Sequence, residues 1–534
     1  TPGEVPNAIL DLNNYDMNLK GVSSIAIADH QNVVFFPKDG NILLKRNRDF
    51  RFDGVISAGM MNLFGEGFMF AYDKFRIELS SIDSLKLRIR TGELDYFGQG
   101  TQREVNNTIA QLSGFLQIDK SDNKSGNQNF PEYPILTSVK QSYVYFDKPE
   151  IQGGAYKRDH FYFTVDPFEM DSISNLDRKN TVFAGLFQSG IFPDFRQKLV
   201  VRDDFSLGFQ QQSPPAGYPI YAGKANFASK IDLSNKGLKG NGVLKYQAST
   251  AHSEEFVFLP NETKGVANEF TVDKHTSGVL FPDVKSQFTQ INFFPLQDEL
   301  VAKSMEENFT MFGADAQLDG SLRVAPTGLT GRGNFYMLRA TLNSRYMSFG
   351  DHTVLADSSN FTLSTKESQD VTFSTSNLIS NIDFETRKGH FTSISGGSRV
   401  DFTENRYISF INEFSWNMDT NDIFLGASGS KGNRFISTHK RQDSLYFYAP
   451  LARFDAENKL IEAEEVKDIL TADAKVFLKN GRITIREDAV MDPLDSVQIV
   501  LKDSLITHTI YDARITIEGA KRYSGLGNYD YVNS

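Results

Sequence analysis

The sequence contains an internal repeat with an offset of 91 residues, and this repeat constrains the fold more than any other feature. The motif Gly-Leu-x-Gly-x-Gly occurs at Gly237–Gly242 and again at Gly328–Gly333. The match continues at the same offset at Ala225/Ala316, Phe227/Leu318, Ile231/Leu322, Leu233/Val324, Leu244/Phe335, Thr250/Thr341, Ser253/Ser344 and Phe258/Phe349. Self-similarity at a fixed period is typical of chains that stack equivalent supersecondary units. We therefore expect a repetitive body rather than several unrelated globular domains.

Most of the chain alternates between apolar and polar residues with a period of two, which indicates strands with one buried face. Examples are Phe68–Tyr72, Lys86–Arg90, Phe161–Val165, Arg482–Arg486 and Arg514–Glu518. Helical spacing is scarce, and it predicts short helices only at Arg103–Leu116, Leu296–Glu306 and Leu460–Leu470. The predicted fold class is all-β with a few short helices, arranged as an elongated repetitive β-solenoid or a stacked β-jellyroll.

The aromatic composition is uneven, since the 534 residues include 45 Phe and 20 Tyr but a single Trp, Trp416. Several phenylalanines occupy alternate strand positions, namely Phe68, Phe70, Phe161, Phe163, Phe256 and Phe258. This placement predicts a continuous aromatic core shared by stacked strands. The absence of cysteine excludes disulfides, thiol nucleophiles and cysteine-bound metals. The net charge of -11 argues against nucleic acid as a partner.

The repeat and the loop composition divide the chain into six segments. We predict an N-terminal β-rich region at 1–118, a loop at 119–134, a second β-rich region at 135–222, repeat units at 223–313 and 314–404, and a β-rich region at 405–534. A looser copy of the glycine motif begins at Gly525, and the chain stops at Ser534. This ending predicts that the chain is truncated within a repeat.

Two interpretations of the repeated glycines compete. A phosphate cradle requires the glycines to lie between a strand and a helix, where backbone N–H groups approach a dinucleotide. In this sequence a strand pattern follows instead, at Gly242–Tyr246 and Gly333–Met337. That order favours a structural role, in which glycine supplies a positive φ or a bulge where the chain enters a strand.

The sequence carries no local pattern that is typical of a catalytic or metal site. The eight histidines are too far apart for a helical zinc site, and no Gly-x-Ser-x-Gly elbow occurs. The pairs Asp203-Asp204 and Glu254-Glu255 are interpreted as solvated charges, because neighbouring strand residues point to opposite faces. The calcium-like loop Ser121–Glu132 lacks flanking helices and is interpreted as a turn. We therefore predict no catalytic residues, no cofactor, no metal and no enzyme activity.

A tripeptide of Asp, Ser and an aliphatic residue recurs along the chain. It occurs at Asp83–Leu85, Asp171–Ile173, Asp443–Leu445, Asp495–Val497 and Asp503–Leu505. Asp and Ser side chains form hydrogen bonds with nearby backbone groups, so the simplest interpretation is a turn before each strand.

Several stretches resemble large β-rich cell-envelope proteins of the Bacteroidota. They are Asp159–Glu169, Gly185–Asp194, the two copies of Gly-Leu-x-Gly-x-Gly and Ala449–Ser534. The resemblance covers nearly the whole chain and implies a location in the cell envelope, in the periplasm or at the outer membrane. In that phylum the tripeptide resembles the acceptor for protein O-glycosylation, which implies the acceptor residues Ser84, Ser172, Ser444, Ser496 and Ser504.

The C-terminal part is similar to the OstA-type β-jellyroll of lipopolysaccharide-transport bridges, as in Ala449–Ala463 and Ala472–Phe477. The resemblances imply a scaffold or accessory component of an outer-membrane assembly or translocation system, with other envelope proteins as partners. Two alternatives stay open, namely an OstA-like lipid conduit and a glycan-binding β-solenoid. An unfilled apolar interior would favour the conduit, whereas exposed aromatics beside convergent carboxylates would favour glycan binding.

Overall fold

The computed structural model describes residues 7–27, 31–365, 370–426, 432–502 and 507–530. Within these ranges the chain forms 45 strands, and its helical content is limited to six single turns of 3-10 helix. Neighbouring strands pair in antiparallel fashion along the chain. The all-β, repetitive fold class predicted from the period-two alternation is confirmed.

The strands are numbered in chain order. The first 22 are β1 (Ala8–Leu10), β2 (Met17–Leu19), β3 (Ile25–Ala26), β4 (Val33–Pro37), β5 (Ile42–Leu44), β6 (Phe50–Ala58), β7 (Met61–Ala71), β8 (Arg76–Leu94), β9 (Gly100–Glu104), β10 (Ile109–Gln117), β11 (Ile135–Ser138), β12 (Ser142–Tyr145), β13 (Tyr162–Val165), β14 (Glu169–Met170), β15 (Val182–Gln188), β16 (Phe195–Val201), β17 (Leu207–Gln212), β18 (Tyr218–Ile220), β19 (Ala225–Ser234), β20 (Gly237–Tyr246), β21 (Ser249–Leu259) and β22 (Glu262–Val272).

The remaining strands and the 3-10 turns complete the described chain. The strands are β23 (Val284–Phe294), β24 (Glu299–Lys303), β25 (Phe309–Met311), β26 (Ala316–Ala325), β27 (Gly328–Met337), β28 (Ala340–Phe349), β29 (Thr353–Ser364), β30 (Val371–Asp383), β31 (Lys388–Ser393), β32 (Ser398–Phe402), β33 (Tyr407–Ile411), β34 (Glu413–Asn417), β35 (Asp422–Gly426), β36 (Asn433–Ser437), β37 (Tyr446–Ala449), β38 (Leu451–Asp455), β39 (Leu460–Glu464), β40 (Asp468–Thr471), β41 (Ala474–Phe477), β42 (Ile483–Ile485), β43 (Leu494–Lys502), β44 (Thr507–Gly519) and β45 (Arg522–Tyr529). The 3-10 turns are Lys38–Gly40, Gln152–Gly154, Ile173–Asn175, Phe312–Ala314, Lys440–Gln442 and Glu487–Ala489.

The chain divides into two compact units. The first comprises Thr1–Leu244 and Ser253–Gly265, and the second comprises Lys245–His252 and Val266–Ser534. The six segments predicted from the sequence stay a prediction, although residues 119–134 contain no strand, as expected of a loop.

The three predicted short helices are wrong. The segments Arg103–Leu116, Leu296–Glu306 and Leu460–Leu470 contain strands instead. In β10 the buried residues Ile109, Leu112 and Leu116 have the spacing of one helix face. The cause is a bulge near Gln111, whose φ is +60°, because a bulge shifts the strand alternation by one residue.

The 91-residue offset of the sequence is also the offset between strands. The four strands β26, β27, β28 and β29 begin 91 residues after β19, β20, β21 and β22 respectively. Within the second copy, β26 pairs with β25 through Ala316–Leu318 and with β24 through Ser321–Val324. One long strand therefore serves two neighbours along its length, which requires a bend near its centre.

The third glycine of the repeated motif provides a matching bend in β27, where Gly333 pairs with Gly320 of β26. Gly333 has a φ of +135°, and a Cβ there would lie 2.1 Å from the carbonyl oxygen of Asp319. The pairing of β27 with β28 shifts register between Gly331 and Gly333. In the first copy, a Cβ on Gly242 would lie 2.1 Å from the carbonyl oxygen of Ala228. The structural interpretation of the motif is therefore confirmed.

The predicted aromatic core is confirmed at the residues that suggested it. Phe68, Phe70, Phe161, Phe163, Phe256 and Phe258 are each at most 3% exposed. In the second unit, Phe361 lies with ring centroids 4.4 Å from Phe391 and 5.4 Å from Trp416. Ring-to-ring contact of this kind adds to the hydrophobic effect of burial.

Beyond β30 the hairpins of the second unit alternate between two rows of paired strands. One row runs β31, β34, β35, β38, β39 and β42, and the other runs β32, β33, β36, β37, β40, β41 and β43. Phe402 of β32 lies 5.1 Å from Phe454 of β38, centroid to centroid. The two rows therefore pack face to face through aromatic rings.

In the first unit, the hydroxyl of Tyr156 connects two strands. It donates a hydrogen bond to the carbonyl oxygen of Phe258 and accepts one from the N–H of Leu238, each at 2.9 Å. Burial raises the pKa of Tyr156 to about 12, and the hydrogen bond from Leu238 offsets part of this rise.

We expect Gly333→Ala to lower the free energy of unfolding by about 2 kcal/mol or more, because alanine at this φ clashes with the Asp319 carbonyl. Gly100→Ala is the matched control, since a Cβ on Gly100 has nothing within 4 Å. Urea unfolding followed by Trp416 fluorescence measures the stability of Gly333→Ala, because Trp416 lies in the same unit. Urea unfolding followed by circular dichroism measures the stability of both variants. Equal stability of the two variants would contradict the bulge assignment.

We expect Tyr156→Phe to cost about 1 kcal/mol at neutral pH, because the Leu238 N–H loses its acceptor. The raised pKa of Tyr156 contributes stability that is complete below pH 10.0 and is lost as the pH rises toward about 12. The difference in the free energy of unfolding between the wild type and the variant should therefore become smaller as the pH rises from 10.0 to about 12. Urea unfolding at a series of alkaline pH values tests this, with the fully exposed Tyr96→Phe as control. A constant difference would be inconsistent with the assignment.

Candidate functional site

The Asp-Ser-aliphatic tripeptides that the structure describes have a buried aliphatic residue in common. Four of them are described, whereas Asp503–Leu505, with the predicted acceptor Ser504, lies outside the described residues. The aliphatic residues Leu85, Ile173, Leu445 and Val497 are fully buried, with 0% exposure. Each tripeptide therefore has its third residue anchored in the core.

Three of the predicted acceptor serines have left-handed backbone. The φ values are +51° at Ser172, +59° at Ser444 and +56° at Ser496. Residues other than glycine rarely adopt this conformation, which occurs at tight turns and bulges. Ser444 and Ser496 are exposed, and Ser172 is half-buried. The predicted turn is found before β37, whereas Ser496 lies at a bulge within β43.

Ser84 differs from the other three. It lies inside β8, where it pairs with Phe64 of β7 and with Ala110 of β10. Its backbone is therefore flanked by strands on both sides, and its side chain is only half-buried. Of the four described serines, Ser444 and Ser496 are exposed, whereas Ser84 and Ser172 are half-buried.

The two carboxylate pairs line one groove of the first unit. Asp203 and Asp204 lie in the turn between β16 and β17, and Glu254 and Glu255 lie in β21. The groove has a volume of about 440 Å³. The sequence alone does not indicate that the two pairs share a groove, because they are far apart along the chain.

The expectation that Glu254 and Glu255 point to opposite faces is wrong. Both side chains are exposed, and the neighbouring buried positions are Ser253 and Phe256. The alternation of β21 therefore skips one residue, so a bulge directs both glutamates outward. The sequence carried this signal in the irregular spacing of Ala251, Ser253 and Phe256.

The charges of the groove are largely compensated by ion pairs. A guanidinium nitrogen of Arg202 lies 2.7 Å from Oδ2 of Asp232, and Nζ of Lys239 lies 2.7 Å from Oε1 of Glu255. Asp204 accepts hydrogen bonds through Oδ1 from the N–H and the hydroxyl of Ser206, at 3.0 and 2.5 Å. Asp203, Glu254 and Glu255 are exposed, which agrees with their interpretation as solvated charges, whereas Oδ2 of Asp204 is buried and has no hydrogen-bond partner.

The calcium-like loop is organised by its own side chains. Asn123 donates through Nδ2 to Asp119 and to the carbonyl oxygen of Gln128, both at 2.8 Å, and it accepts from the Gln128 N–H. These bonds support the turn interpretation of Ser121–Glu132. Within the described residues, no group of three or more His, Asp or Glu side chains is arranged to hold a metal ion.

No protein-family model matches the sequence, and no curated protein matches it. Within the described part of the chain, no helix has the length and hydrophobicity needed to cross a membrane. The resemblance to envelope proteins therefore rests on the sequence stretches given above.

We expect the anchor and the serine of one tripeptide to differ in their effect on stability. Leu445→Ala should lower the free energy of unfolding by about 2–5 kcal/mol, because it removes a fully buried side chain. Ser444→Ala should change it by less than about 0.5 kcal/mol, since the hydroxyl is exposed. Urea unfolding monitored by Trp416 fluorescence compares the two. A large effect of Ser444→Ala would indicate a structural role for the hydroxyl instead.

Proposed function

We propose that this chain is a non-catalytic β-rich scaffold of the bacterial cell envelope, serving as an accessory component of an outer-membrane assembly or translocation system. The observation that carries the proposal is the aromatic interior, combined with the ion pairs that Asp232 and Glu255 form in the carboxylate groove. The paired strands within each unit offer sheet faces to partner proteins. The envelope location is supported by the resemblance of Asp159–Glu169, Gly185–Asp194 and Ala449–Ser534.

The filled interior counts against the lipid conduit. A conduit requires an open apolar groove between the rows of strands, wide enough for acyl chains. In the second unit the rings of Phe373, Phe402 and Phe454 occupy that position, with centroid distances of 5.1–6.0 Å. An acyl chain would have to displace these rings, which contact one another directly.

The glycan-binding alternative lacks an exposed aromatic platform beside the carboxylate groove. Trp416, the only tryptophan of the chain, is 2% exposed and donates through Nε1 to Asn421. The residues that line the groove between Arg202 and Glu255 include no aromatic side chain. Stacking of a sugar ring on an aromatic face is therefore not available at this groove.

We propose in addition that the scaffold carries O-linked glycans at its Asp-Ser-aliphatic tripeptides. A modifying enzyme needs an accessible hydroxyl on a protruding backbone, and loops and bulges meet this need better than central strands. The exposed, left-handed Ser444 and Ser496 fit this requirement, Ser172 fits it less well, and Ser84 fits it least. Ser504 is proposed on its sequence alone.

Fractionation of a bacterium that produces this protein tests the scaffold directly. We expect the chain to be recovered with the outer membrane in a complex larger than its own 60.0 kDa, with partner proteins identified by mass spectrometry. Recovery as a free species of that mass in the soluble fraction would contradict the proposal. Stoichiometric co-purifying lipid would favour the conduit instead.

Mass spectrometry of peptides from the same sample tests the glycosylation. We expect glycan mass on the peptides with Ser444 and Ser496, and less or none on the peptide with Ser84. Ser444→Ala and Ser496→Ala should each remove the modification of their own peptide only. Unmodified serines at both positions would reject the glycosylation without affecting the scaffold proposal.

A further inference from the structure

The hairpin between β5 and β6 carries a cluster of positive charge in this acidic protein. The sequence Lys45-Arg-Asn-Arg-Asp-Phe-Arg51 supplies four cations within seven residues, although the net charge of the chain is -11. The hairpin turns tightly, since the N–H of Arg48 donates to the carbonyl oxygen of Lys45 at 3.0 Å. Arg46 and Arg48 therefore both belong to this turn.

A groove of about 530 Å³ lies against this hairpin. It is lined by Tyr15, Met17, Leu44, Lys45, Arg46 and Arg48. None of these lining residues is acidic, which distinguishes the groove from the charged groove at Glu254 and Glu255. Met17 pairs with Leu44 across β2 and β5, so the apolar lining comes from strand residues and the cations come from the turn.

Tyrosine rings orient both guanidinium groups. Arg46 lies 5.4 Å from the ring centroid of Tyr15, and Arg48 lies 5.2 Å from that of Tyr72. Arg48 also donates a hydrogen bond to the hydroxyl of Tyr72 at 3.2 Å. Lys124 approaches the same Tyr72 ring at 4.7 Å and brings a further positive charge to it. Stacking of this kind holds a guanidinium in place without neutralising it.

The nearby carboxylates of Asp16 and Asp49 bind groups other than Arg46 and Arg48. Asp16 pairs with Lys45 at 2.5 Å. Asp49 accepts hydrogen bonds from the Tyr72 N–H at 2.8 Å and from Asn47 at 2.7 Å. Among the described residues, neither Arg46 nor Arg48 forms an ion pair with a carboxylate. Apart from the Arg48 N–H that donates to the Tyr72 hydroxyl, their guanidinium donors are therefore available to bind an anion.

We propose that this groove binds a phosphate group through the guanidinium groups of Arg46 and Arg48. A planar guanidinium presents parallel N–H donors that match two phosphate oxygens, and two such groups held near each other favour a multiply charged oxyanion. Tyr15 and Tyr72 act as positioning residues for the two arginines. The phosphate is either free in solution or part of a lipid headgroup, whose tail would lie toward Met17 and Leu44.

Arg51 lies next to the proposed site, since it lines a second groove together with Arg46, Asp16 and Asp49. Two exposed arginines of the second unit therefore provide the control, namely Arg345 in β28 and Arg441 in the 3-10 turn Lys440–Gln442. The double variant R345Q/R441Q removes the same charge as R46Q/R48Q but leaves the proposed site intact.

Binding is measured with two probes on the intact chain. Calorimetry with inorganic pyrophosphate tests a free phosphate, and co-sedimentation with phosphatidylcholine vesicles containing phosphatidic acid tests a headgroup. Vesicles of phosphatidylcholine alone give the baseline. We expect R46Q/R48Q to weaken binding at least about tenfold and R345Q/R441Q to weaken it less than about twofold. Circular dichroism verifies that both variants are folded.

Each outcome decides the proposal or identifies the source of the phosphate. Binding of pyrophosphate supports the site with a soluble ligand, and binding only to phosphatidic acid vesicles supports it with a headgroup. The proposal is overturned if the wild type binds neither probe, or if the two double variants lose affinity equally, because the attraction would then be diffuse. Neither result depends on the scaffold function proposed above.

Discussion

Contact between phenylalanine rings is the interaction on which the rest of this structure depends. The strands are short in much of the second unit, and the 3-10 turns contribute few residues to the interior. Rings such as Phe361, Phe373 and Phe402 join one hairpin to the next, so burial of each strand depends on its neighbours. This dependence explains why 45 phenylalanines occur in a chain with one tryptophan. A phenylalanine ring fills the space between facing strands without a polar atom that needs a partner.

The bulges are the second constraint, since they let one long strand pair with two neighbours. They also determine where the sequence could be interpreted correctly. Regular strands such as Arg514–Glu518 follow a strict period of two and are predicted directly. In β10 the bulge near Gln111 gives Ile109, Leu112 and Leu116 helical spacing, and the resulting helix prediction is wrong. Periodicity alone cannot separate a bulged strand from a helix face of this length.

The candidate sites were less accessible to sequence reasoning than the fold. The tripeptides were found as a pattern, but burial of their aliphatic residues and the left-handed serines depend on tertiary packing. The groove at Glu254 unites segments about fifty residues apart, which a single sequence does not reveal. The basic hairpin could have been found from Lys45–Arg51, since its charge contrasts with the acidic chain. What the sequence lacks is the position of Tyr15 and Tyr72 against the two arginines.

The paired outward positions at each bulge have a consequence for how the two repeat units diverged. Glu254 and Glu255 in the first copy correspond to Arg345 and Tyr346 in the second, whereas the inward Phe258 corresponds to Phe349. A bulge exposes two consecutive side chains, so both can change charge without disturbing the core. After a duplication, such a position is free to acquire a new surface while the fold is preserved. At this bulge the two copies therefore differ in their surface residues and keep the same core residue.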